Sequence, residues 1–75
     1  MKCHLMDVYK SETRRVVQRF LLRQLSFANC ISSLDAALAR LIPRLRPKDL
    51  DALRALMLDN NEKVMKEMER RAAAK

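Results

Sequence analysis

The amino-acid sequence predicts an all-α protein, a three-helix bundle with helices at about 12–25, 27–42 and 47–72, whose long C-terminal helix dimerises. Three observations carry this expectation. The chain has no Gly and only two Pro, is 49% hydrophobic and 33% charged, and so matches the profile of Ala/Leu/Arg/Glu-rich helical proteins. Its β-branched residues, Val8, Thr13, Val16, Val17, Ile31, Ile42 and Val64, are too scattered to alternate along strands. Its apolar residues instead recur at helical spacing. With 75 residues there is one domain at most, near the lower limit at which a core holds itself together without metal, disulfide or partner.

Residues 1–10, MKCHLMDVYK, read as an irregular N-terminal arm, and residues 11–75 as a single helical domain. Ser11 offers an N-cap hydroxyl, and Glu12 meets the positive end of a helix dipole. Val16, Val17, Phe20, Leu21 and Gln24 then fall on one arc, with Arg15, Arg19 and Arg23 in a row on the other. No Gly or Pro ends this helix. The break is placed at 25 and 26, because Ser26 can accept from the backbone of Asn29 while Leu25 packs on Cys30, as in an N-cap with a hydrophobic staple. The competing reading is one continuous helix over 12–42.

The second helix carries the best apolar stripe, from Phe27, Cys30, Ile31 and Leu34 to Ala37, Leu38, Leu41 and Ile42. Pro43 stops it by removing a backbone donor and clashing with the preceding turn. Pro47 suits a first helical position and is followed by Asp49 and Asp51, so PRLRP is a stiff basic connector. The third helix spans nearly 40 Å at ~1.5 Å per residue, outrunning the second by about ten residues. Its far half must lie against the first helix, another subunit or solvent. Self-association is therefore assigned to Leu50, Leu53, Met57, Asn60, Asn61, Val64 and Met68. The two asparagines lie within or at the rim of that apolar face. They read as solvated rim positions, as a register device between helices, or as ligand contacts, since a buried amide requires a partner.

Net charge is +7, and its excess lies entirely in the first two thirds of the chain. Arg14, Arg15, Arg19, Arg23, Arg40, Arg44, Arg46 and Lys48 are the candidate polyanion-binding set, because guanidinium groups make bidentate contacts to phosphate. The plain alternative is a solvated face. No zinc-finger spacing, aromatic RNA-binding signature or basic zipper accompanies them. Resting on an anionic bilayer is disfavoured, because the apolar arc of the first helix is needed for the core.

Chemistry has little to draw on. The single His4 lies beside Cys3, short of the four ligands a metal needs, so no metal or other cofactor is expected. Cys3 and Cys30 read as free thiols. The serines have no nearby base, and carboxylates two apart face different sides of a helix, so no catalytic residue is assigned. The expected protein is a cytoplasmic, non-enzymatic interaction or assembly module whose partner is itself or another helical protein, the alternative being a basic nucleic-acid-associated protein.

Overall fold

In the computed structural model, which describes residues 5–74, the chain forms α1 (Leu5–Leu21), α2 (Phe27–Leu41) and α3 (Leu50–Ala73). Two short 3-10 turns, Ile42–Arg44 and Pro47–Asp49, join α2 to α3. No strand occurs among the described residues, so the all-α class with a long third helix holds. The arrangement is a rod of 48 × 20 × 18 Å.

The first helix starts earlier than the arm reading allowed. Residues 5–10 are helical, and the N-terminus of α1 is Leu5 rather than Ser11; residues 1–4 lie outside the described residues. The cause is packing. Leu5, Tyr9, Thr13, Val17 and Phe20 follow one another at three- and four-residue steps, and Tyr9, Thr13, Val17 and Phe20 are all buried. Thr13 Oγ1 donates to the Tyr9 carbonyl at 2.9 Å, so the hydroxyl enters the core already satisfied. This stripe is invisible to a count of aliphatic residues, because two of its members are Tyr and Thr.

Helix α2 begins where Ser26 predicted it, but α1 ends at Leu21, four residues before the expected 25. The Ser26 hydroxyl accepts from the Asn29 backbone at 3.1 Å, and α2 begins at Phe27. What ends α1 is a left-handed residue, Arg23 with φ 62°. The Gln24 amide donates to the Arg19 carbonyl at 2.8 Å and the Arg23 amide to that of Phe20 at 3.0 Å, a Schellman closure made without glycine. Arg23 has therefore left the helix, and the row expected from Arg15 through Arg19 to Arg23 is broken after Arg19.

The core has two apolar clusters. Val17, Phe20, Cys30, Leu34 and Val64 form one, and Tyr9, Ala37, Leu41 and Leu53 the other. Phe20 is fully buried, and its truncation to Ala would cost about 3–5 kcal/mol, a large share of the stability of so short a chain. Helix α1 packs on both α2 and α3, whereas α2 and α3 make few close backbone approaches of their own. The far half of α3 lies along α1, with Val64 against the cluster of Val17 and Phe20. The length of α3 is thus accommodated within one chain and does not by itself require a second copy.

Candidate functional site: the α2–α3 face

The predicted self-association set divides on folding. Leu53 and Val64 are core residues and Asn60 is 8% exposed, so these three offer almost no surface to another molecule. That corrects their assignment: the side of α3 that was read as an outward face is the side α1 covers. Met57 and Met68 are half-buried, and Leu50 and Asn61 are exposed.

What remains outside forms a different face. Five of the large hydrophobics exposed among the described residues, Phe27, Ile42, Leu50, Leu58 and Met65, stand on α2, α3 or the turn between them. Three concavities run along the seam. At the connector end, Leu38, Ile42, Leu45, Pro47, Leu50 and Met57 line an almost wholly apolar groove. In the middle, Leu38 and Met57 are shared with a smaller cavity of about 100 Å³ that also takes in Tyr9, Leu34, Asp35, Asn60 and Asn61. At the far end, Phe27 and Met68 wall a third hollow with Arg23 and Arg71. The seam is open because α2 and α3 are each held by α1 rather than by one another.

The central cavity contains the polar exception. Asn60 Nδ2 is buried and has no hydrogen-bond partner among the described residues, an arrangement that costs about 1–3 kcal/mol while it lasts. Tyr9 borders the same cavity, its phenol pushed above its usual range by burial and then by the nearby Asp35 carboxylate. The two asparagines thus have separate roles: Asn60 points inward with an unmet donor, and Asn61 stands at the cavity's rim.

At the far end a second polar group was missed altogether. Glu67, also buried, accepts from Arg70 Nε at 2.9 Å, from Arg70 Nη2 at 2.6 Å and from Arg71 Nε at 2.6 Å. These hydrogen bonds, from Arg70 first and Arg71 second, pull its carboxyl down to about 2. Its i+3 and i+4 spacing to two arginines was the available signal. In the other direction, burial pushes the Cys30 thiol up, as suits a small core residue.

The basic set also divides. Arg40 is paired with Glu12 across α1 and α2, and Arg46 lies 3.9 Å from Asp49. Among the described residues Arg14, Arg15, Arg19, Arg23, Arg44 and Lys48 are exposed and have no salt bridge. At ~100° per residue, Arg14 and Arg15 fall outside the buried arc of α1, away from the α2–α3 seam, and Arg15 borders a hollow shared with Arg40 of α2. Cys3 and His4 lie outside the described residues, and no three His, Cys, Asp or Glu side chains cluster among those described. No described helix is long and apolar enough to cross a membrane.

The class defined by this fold is an all-α, three-helix protein with one open apolar seam. Comparison with protein-family models, with curated proteins and with solved structures finds no match to this chain.

Proposed function

We propose that the protein is a small non-enzymatic interaction module that associates with a second copy of itself through the α2–α3 face. The observation that carries this reading is the set of exposed apolar side chains on α2, α3 and the connector, of which Phe27, Ile42 and Leu50 line a seam that the chain does not close. A face of this kind is uncommon on a protein that stays alone in water, and a helix from another molecule buries it in the manner of a four-helix bundle. A second copy is favoured by charge. The molecule carries +7, yet the walls of the seam are mostly neutral, and pairing them leaves the basic backs of both α1 helices facing opposite sides of the assembly.

Sedimentation over a range of concentrations tests this. The expected result is a mass that rises with concentration in the native chain and stays monomeric when Leu50 and Met65, both exposed, are replaced by Glu. Circular dichroism checks that the variant keeps its helices. A native chain that remains monomeric throughout sinks the reading.

A second reading draws on the six members of the basic set that have no salt bridge among the described residues, which suit the phosphate backbone of a nucleic acid. It expects retardation of DNA or RNA fragments that weakens steeply with added salt and is lost when Arg14, Arg15 and Arg19 become Ala. Fragments that run unretarded at low salt exclude it.

A further inference from the structure

We infer that the second copy docks with its α3 antiparallel to the first, on a two-fold axis that crosses the helix at Asn61, so that the two central cavities close over one another. This rests on the self-association reading and adds the register. Three independent features of α3 point to the same place.

The first is position. Asn61 lies eleven residues from Leu50 and twelve from Ala73, the midpoint of the helix, so an axis there overlaps the two helices along their whole length. The second is charge. Within α3, residues 50–60 hold two acids and one base, a net of −1, and residues 61–73 hold four bases and three acids, a net of +1. Antiparallel pairing sets each negative half against the other copy's positive half and opposes the two helix dipoles. Parallel pairing would set like against like.

The third is what meets what. Reflection through Asn61 brings Leu50 opposite Ala72, Met57 opposite Met65, and Asn61 opposite itself, with Met68 opposite Arg54, so two apolar matches flank an amide pair on the axis. An isologous interface requires this kind of self-complementarity. Beneath the axis lies Asn60 Nδ2, the one buried side-chain donor without a partner among the described residues. The carboxamide of Asn61 from the second copy stands over the mouth of that cavity and provides an acceptor, which makes the asparagines the element that fixes register.

Cysteine placement in the Cys3→Ser background distinguishes the possibilities. On mild oxidation, Asn61→Cys is expected to form a covalent dimer with itself. Leu50→Cys is expected to form none, because its two copies stand about 33 Å apart in the antiparallel arrangement, beyond disulfide reach. A mixture of Leu50→Cys with Ala72→Cys is expected to cross-link. Arg14→Cys, on the back of α1, reports random collision. Self-crosslinking of Leu50→Cys as readily as Asn61→Cys would overturn the antiparallel register while leaving self-association standing. So would loss of all specific cross-links in a chain that still sediments as a dimer. A native chain that sediments only as monomer overturns both.

Discussion

Arg71 reaches across from α3 to cap the end of α1 at Phe20: its Nη2 donates to the Phe20 carbonyl at 2.8 Å, and its guanidinium carbon stands 4.4 Å from the centroid of the Phe20 ring. The same guanidinium bonds Glu67 through Nε, so one side chain closes a helix terminus, covers an aromatic core residue and anchors a buried carboxylate. Lysine could supply the charge but not the planar fork.

Replacing Arg71 by Lys is therefore expected to destabilise the fold by about 1–3 kcal/mol, the combined loss of a charged hydrogen bond to a carbonyl and a partly shielded cation–π contact. Urea denaturation measures it. An unchanged midpoint would show that the contact only decorates the surface.

Acid should loosen the molecule at the same corner. The folded carboxyl of Glu67 titrates near about 2, below its usual 4.5, so protons bind more readily to the unfolded chain. The stabilisation it provides is complete above the usual value and is lost as pH falls through that value toward about 2. Thermal midpoints recorded down that range should fall more steeply in the native chain than in Glu67→Gln. Parallel curves would remove Glu67 as a source of acid sensitivity.

At Arg23 the backbone is left-handed, a conformation that burdens any residue with a Cβ. Glycine there should stabilise the chain by about 1 kcal/mol, whereas a β-branched residue such as Val should weaken it. Thermal unfolding of Arg23→Gly and Arg23→Val gives the comparison. A loss of stability on introducing glycine would mean that the Arg23 side chain contributes more than its strained backbone costs.

Asn60 should be tolerated poorly by the lone chain. Substitution by Leu, close in size, removes an unmet buried donor and is expected to raise stability by about 1–3 kcal/mol at concentrations where the protein is dilute. Denaturation at several protein concentrations separates this gain from any change in association. If Asn60→Leu is destabilising even when dilute, the amide has a partner in solution that offsets its burial.

The legible parts of this protein were those written in neighbouring residues. Ser26 and Asn29 define a cap by a contact three residues long, Pro43 and Pro47 punctuate the connector by covalent geometry, and the stripe from Cys30 through Leu41 repeats at the helical period. Each acts before any distant part of the chain is in place. The start of α1 was misread for the opposite reason. Tyr9 and Thr13 join the core because α2 and α3 cover them and because the Thr13 hydroxyl can bond back to the preceding turn.

The open seam was legible only in part. Leu50, Met57, Asn61 and Met68 were singled out from the spacing along α3, and they do lie along it; Leu53, Asn60 and Val64 were grouped with them because one helix viewed alone has no inside. By itself the sequence determined an all-α chain, the cap that starts α2, the proline-bounded connector and a charge excess held in the first two thirds, since those depend on local backbone preferences and on composition. Only the tertiary structure decided which arc of α3 is covered by α1, which asparagine is buried and which side of the rod stays open. Helix faces acquire a direction when they pack, and nothing within a single turn of the chain records what will be packed against it.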